Sequence, residues 1–215
     1  RIAILDPELS LSMPKHVAAC TGLDAIGHAV ETAVTSAGTE ESRALSLQAF
    51  ALANDAFPTV LSQPEDLNAR ANMLRAACIA GRAIEASMLG AAHSIANPLT
   101  KHFDMPHGQA VATALPHVIR YNAQDSTAAA SYHALAVAGG LAAQETSEAE
   151  ACEALAVRME QLLELAGLPS PLTAAVVDEN KLTALAEEAS TQWTARFNPR
   201  SIDTGAFREL FRLLV

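Results

Sequence analysis

The sequence predicts an all-α domain, and three observations lead there. Apolar residues recur at helical spacing along almost the whole chain. Ala and Leu dominate, half of the 215 residues are hydrophobic, and aromatic residues make up only 4%. Alternating runs of Val, Ile and Tyr are scarce beyond the amino terminus. The length suits one domain or a generous pair with a sizeable core.

Taken in order, Ile2 to Leu5 is short and rich enough in Ile to read as a single strand. A helix follows Thr21, which stands to Asp24 as an N-cap stands to the third helical residue, so Asp24 is expected in a first turn. The next helices run from about Glu41 to Leu61, with Pro58 near the end, and from Glu65 to Glu85. In the latter, Leu67, Met73, Leu74, Ala77, Cys78 and Ile84 are candidates for the buried stripe. Around His93 a helix is expected to end or bend within a few residues of Pro98. Another begins after Pro106 and breaks or kinks near Pro116. Ser126 to Ala138, Ser147 to Ala166, Lys181 to Arg196 and Thr204 to Leu214 complete a bundle of about eight helices. Gly139-Gly140 reads as a helix stop, and residues 167 to 171 as the clearest loop.

Composition excludes several functions. Fourteen basic against twenty-four acidic residues give a net charge of -10, with no Lys/Arg cluster to follow a phosphate backbone, so nucleic acid is not expected as a partner. No apolar run reaches the roughly eighteen residues of a membrane span, and no signal-peptide pattern opens the chain. The expected location is cytoplasmic. Cys20, Cys78 and Cys152 are odd in number and widely spaced, which predicts buried free thiols and neither a disulfide framework nor a zinc ribbon.

Four residues carry the chemistry. Asp24 and His28 in TGLDAIGHAVE lie four apart, so on a helix both leave one face about a turn apart. His93 in GAAHSIANPL and His107 in FDMPHGQA are separated by a helix end, a loop and a helix start, a connection able to fold back toward that pair. Neutral imidazoles with one carboxylate suit Fe2+ or Zn2+, whereas Ca2+ or Mg2+ would want mostly oxygen ligands. Plainer readings stand beside this one. An Asp in a first turn serves as a dipole partner, a His on an apolar helix packs in the core, and spacing alone does not choose. Glu31, three residues beyond His28, reads as solvent-facing. His16, His102, His117 and His133 fall mostly on polar or loop-like stretches. Asp104 reads as a turn residue with a second option of orienting a ligand imidazole.

The strings DPELSLSMP, TGLDAIGHAVE and GAAHSIANPLTKHFDMPHGQAVATALPHVIRYN closely resemble the carboxy-terminal half of the iron-containing (group III) alcohol dehydrogenases, from about residue 5 to 122 and more loosely to the end. The resemblance implies a dehydroquinate synthase-like α-domain whose metal is held by one Asp and three His, here Asp24, His28, His93 and His107. It implies NAD or NADP as hydride carrier and a small alcohol or carbonyl compound as substrate. Zinc-dependent glycerol dehydrogenases and dehydroquinate synthase relatives match less well than the alcohol dehydrogenase branch, which the DMPHG and ALPHVIRYN strings favour.

Two departures stand out. Where many members have a second histidine four residues after the third ligand, on the nicotinamide side, this chain has Asn97, which cannot shuttle a proton near neutral pH. Asn97 also reads as an amide capping the helix end before Pro98. The chain further lacks GxGxxG, a P-loop and βαβ units, and begins at Arg1. Residues 1–215 therefore read as the carboxy-terminal metal-binding domain alone, with the dinucleotide-binding domain outside this sequence and the isolated chain inactive. Apolar surface left where that domain docks would invite homo-oligomer formation. The competing functional classes are a non-catalytic helical metal-binding or interaction module, and a structural bundle whose histidines never converge.

Overall fold

The computed structural model describes residues 2–168, 172 and 177–215. Among them are nine α-helices: α1 (Lys15–Val34), α2 (Glu40–Ser62), α3 (Leu67–Glu85), α4 (Ala91–Phe103), α5 (His107–Asn122), α6 (Ser126–Ala138), α7 (Glu148–Ala166), α8 (Glu179–Ser190) and α9 (Thr204–Arg212). Short 3-10 turns cover Pro7–Ser10 and Ala195–Phe197. No strand occurs among the described residues. The segment Ile2 to Leu5 lies exposed, because a strand exists only by pairing and the helical bundle offers it no edge.

Polar side chains set most helix starts. Thr39 with Ser42, and Ser147 with Glu150, form reciprocal capping boxes for α2 and α7. Asp66, Asp125, Asp178 and Asp203 accept first-turn N–H groups of α3, α6, α8 and α9. The start of α1 differs from the sequence expectation. Pro14 is its N-cap, and Thr21 sits inside the helix, its hydroxyl donating back to Val17 O at 2.9 Å. Asp24 consequently lies in mid-helix, not in a first turn.

The interior prolines do not end their helices. Pro98 lies within α4 and Pro116 within α5, although each removes one N–H from the ladder. Both are buried beside fully enclosed neighbours such as Ile95, Leu99, Leu115 and Ile119, and burial of side chains this size, about 1.5–3 kcal/mol each, offsets the missing bonds. Gly139 and Gly140 do stop α6, Gly140 at φ 70°. Gly167 ends α7 at φ 67° and Leu168 is buried, while positions 169–171 of the expected loop lie outside the described residues.

Helix α1 is the central element, lying against α2, α3, α5, α6 and α7. Ala19, Leu23, Ile26, Ala29 and Val30 are buried along it, and its many alanines allow neighbours to come close. Alanines also decide how α3 packs. Ala69, Ala76, Ala80 and Ala83 form its buried face, while Leu67, Ala77 and Cys78 are exposed and Met73, Leu74 and Ile84 half-buried. The expected stripe was displaced because the small face, not the bulky one, makes the tight contact. Cys78 is thus not a buried thiol, unlike Cys20 and Cys152. Arg70, also buried, ties the first 3-10 turn to α3 through Ser10 O and to the α2–α3 loop through Pro64 O, both at 2.5 Å.

Two substitutions test this packing. Gly81, inside α3, has nothing within 4 Å of where a Cβ would stand, so Gly81→Ala should raise the urea midpoint, equivalent to about 0.5–1 kcal/mol. Phe57 is fully buried, and Phe57→Ala should lower stability by about 3–5 kcal/mol in the same far-ultraviolet circular dichroism titration.

Candidate metal centre

Helices α1, α4 and α5 each supply part of one cluster. Asp24 and His28 lie a turn apart on α1. His93 is the third residue of α4, and His107 is the first of α5, directly after its N-cap Pro106. Glycine makes the approach of α5 possible. A Cβ on Gly108 would stand 1.9 Å from Cys20 O, and one on Gly27 would stand 2.6 Å from Val111 Cγ1. The amino terminus of α5 therefore rests on the backbone of α1, beside Asp24.

Asp24 is the hub. Its Oδ2 lies 3.6 Å from His28 Nε2, and its Oδ1 lies 3.5 Å from His93 Nε2 and 3.7 Å from His107 Nε2. The His28 and His93 rings stack at 5.0 Å and 20°, and His93 and His107 stand 5.2 Å apart at 55°. One potential ligand atom from each of Asp24, His28 and His93 lies within 4.8 Å of the others. Two atoms each bound at about 2.0–2.2 Å in a tetrahedral site stand about 3.3–3.6 Å apart, close to the spacings seen here.

Asp24 Oδ1 and His93 Nε2 are buried without a hydrogen-bond partner among the described residues, although they face each other. Buried polar atoms are ordinarily satisfied. A divalent cation among the four side chains would satisfy both, so the donor set fits such an ion.

The electrostatics agree with that fit. Burial pushes the Asp24 carboxyl up, but the surrounding imidazoles outweigh it and hold the group below the usual carboxylate range. Burial drives His28 down to about 4 and lowers His107, so both rings are neutral with free lone pairs at pH 7. His93 behaves oppositely. Burial disfavours its charge, yet Glu31 and Asp24 raise it above the ordinary histidine value, marking this point as one where positive charge is held.

Glu31 is where the sequence reading fails most clearly. It is 3% exposed, its Oε2 lies 2.5 Å from His93 Nδ1, and its Oε1 accepts the Ala92 N–H at 2.7 Å. Burial pushes its carboxyl up, but His93 and the N–H groups of Gly90 and Ala92 bring it below the ordinary value. The available signal was its spacing: residues 24, 28 and 31 follow the i, i+4, i+7 pattern of a single helical face.

The remaining candidates lie elsewhere. Asn97 sits within α4, half-buried, and donates through Nδ2 to Gln192 Oε1 at 2.8 Å, so it does not cap the helix before Pro98. His102 is exposed in the last turn of α4 and pairs with Glu188 Oε2 at 2.9 Å. Asp104 closes α4 in the left-handed region at φ 51°, an ordinary turn role. His16, His117 and His133 are on helices, not loops. A cavity of about 390 Å³, lined in part by His16, Cys20, Asp24 and His107, opens beside the cluster. A second, more apolar cavity of about 230 Å³ between α1, α2 and α3 contains none of the four candidate residues.

Comparison with known proteins places this architecture. The carboxy-terminal profile of the Fe-containing alcohol dehydrogenase family matches residues 18–215, and the chain belongs to that family. It is 35% identical over its whole length to 1-propanol dehydrogenase PduQ of Salmonella typhimurium, covering 59% of that protein. It is 31% identical over 93% of its length to the NAD-dependent methanol dehydrogenase of Bacillus methanolicus, covering 52%. Among solved structures, 1,3-propanediol oxidoreductase superposes with a TM-score of 0.91 at 30% identity, over 98% of this chain and 55% of that one. An alcohol dehydrogenase from Oenococcus oeni gives 0.90 at 28% identity, over 97% and 54%. The chain thus spans little more than half the length of the relatives it matches.

The α1–α5 contact yields a direct test. Gly108→Ala must push backbone from backbone, so its melting temperature should fall well below that of the wild type, and the His107 imidazole resonances should shift more than those of the distant His133.

Proposed function

We propose that this chain is the metal-bearing domain of an NAD(P)-dependent alcohol dehydrogenase that interconverts a small alcohol and the corresponding aldehyde or ketone. The carrying observation is the single carboxylate of Asp24 within 3.5–3.7 Å of three imidazole nitrogens, with two of the facing atoms buried and unsatisfied. Asp24, His28, His93 and His107 would hold one Fe2+ or Zn2+. Both metals accept this donor set, and the family favours iron. The relatives matched are named as alcohol dehydrogenases, one of them NAD-dependent, which supports NAD as the hydride carrier.

When bound, such an ion supplies a Lewis acid that favours an alkoxide over an alcohol at neutral pH and polarises a carbonyl in the reverse direction. The chain's own residues prepare that chemistry. Toward a dication held there, Asp24 would contribute one negative charge and His28 and His107 none. The cavity lined by Cys20, Thr21 and His107 provides room for a small substrate beside the ligands. Asn97, a turn beyond His93, stands where the family resemblance puts the nicotinamide side; its amide donates to Gln192 Oε1 and cannot carry a proton near neutral pH. The nicotinamide itself would be bound mainly by a dinucleotide-binding domain outside this sequence.

No helix among the described residues is long and apolar enough to cross a membrane. A cytoplasmic enzyme is consistent with that.

Metal content decides the reading. After incubation with Fe2+ or Zn2+ and removal of excess, elemental analysis should find near one equivalent in the wild type and almost none in His93→Ala or His107→Ala. Free Zn2+ at about 100 times the wild-type dissociation constant should stabilise the wild type by about 2.7 kcal/mol and both variants far less. A well-folded wild type without metal above background would overturn the proposal.

A further inference from the structure

The most enclosed charged group at the metal centre is not one of its four ligands. Glu31 reaches from α1 to the first turn of α4, where one carboxylate oxygen takes the Ala92 N–H and the other meets His93 Nδ1. We propose that Glu31 is a positioning residue for the metal centre: by accepting the Nδ1 proton of His93 it fixes the ring in the tautomer whose Nε2 lone pair faces Asp24. The inference rests on the metal reading above.

A neutral imidazole has one donor and one acceptor nitrogen, and the hydrogen bond at one fixes the role of the other. A carboxylate can only accept. Nδ1 must then donate, so that when a cation displaces the second ring proton, Nε2, which is buried and has no hydrogen-bond partner among the described residues, offers its lone pair on the side of Asp24 Oδ1. Carboxylate partners of this kind orient imidazole ligands and raise their basicity.

A purely structural role would look different. Helix α4 begins at Gly90 without a side-chain cap of its own, and Glu31 Oε1 supplies one from another helix. Capping needs only that one oxygen. The second, 2.5 Å from the ligand ring, serves the ring alone. Glu31 therefore ties the place of α4 to the orientation of the ligand that α4 carries.

Glu31→Gln separates the two roles, because an amide has one oxygen for two donors. If that oxygen keeps the Ala92 N–H, the NH2 faces Nδ1, which must then accept, and the proton moves to Nε2. If the amide flips, the cap is lost. Co2+ serves as the probe, with affinity read by chelator competition and coordination by its visible absorption. Glu31→Gln should weaken Co2+ binding by about 10–100-fold. Glu31→Asp, which keeps the charge but shortens the reach, should recover part of that loss.

The double variant Glu31→Gln/His93→Ala should bind residual Co2+ no more weakly than His93→Ala alone, since the effect passes through that ring. Additive losses would show that Glu31 acts on the fold and not on His93, and would overturn the inference. Wild-type affinity in Glu31→Gln would overturn it equally, while leaving the metal reading intact. A wild type that takes up no Co2+ removes both. Should Glu31→Gln fail to fold, Glu31→Asp goes through the same cycle, with a smaller loss that again vanishes when His93 is Ala.

Discussion

The contact between the amino terminus of α5 and the middle of α1 is the constraint on which the rest of the site depends. At Gly108 the two backbones are so close that one added carbon would overlap Cys20 O. This closeness brings His107 to Asp24 without a long side chain reaching across a gap. Helix α1 accepts it because Gly27, one helical face along, leaves room for Val111 of α5. Glycine at these two crossings is what lets α5 bring His107 to the candidate site.

Burying charge at that point is costly, and the structure offsets the cost by pairing. Asp24 and Glu31 enter the interior on the same helix, and each is matched by imidazole nitrogens or backbone N–H groups. A carboxylate removed from water costs several kcal/mol unless partners of this quality surround it. Among the described residues, Asp24 Oδ1 is the oxygen of these two carboxylates that is buried near an imidazole yet makes no hydrogen bond. That shortfall lies at the spot that a dication would occupy.

Much of the fold was legible in the sequence because helical periodicity and capping residues are local signals. Ser147 and Glu150, or Asp125 before α6, announce a helix start wherever they stand. Thr21 misled because a hydroxyl can bond backward to Val17 as readily as it can cap, and only the residues from Pro14 onward distinguish the two. Pro98 and Pro116 do not break their helices, because the local penalty is offset by burial that no short window contains. The ligand set came from motif resemblance. Spacing could pair Asp24 with His28, but convergence with His93 and His107 depends on how α4 and α5 pack against α1. Glu31 taken singly looks like a solvent-facing charge; only as the next member of the Asp24 and His28 face does its spacing point inward.

The placement of His93 and His107 in the opening turns of their helices has a further effect on the field at the centre. Both helices point their amino-terminal ends at it, and each end carries roughly half a positive elementary charge. Such ends draw anions. The attraction of such an end for an oxygen rises as that oxygen gains negative charge, and at α4 it is already partly satisfied by Glu31 Oε1, which takes the Ala92 N–H. A preference of this point for anionic over neutral oxygen would thereby be built partly into the direction in which two helices run.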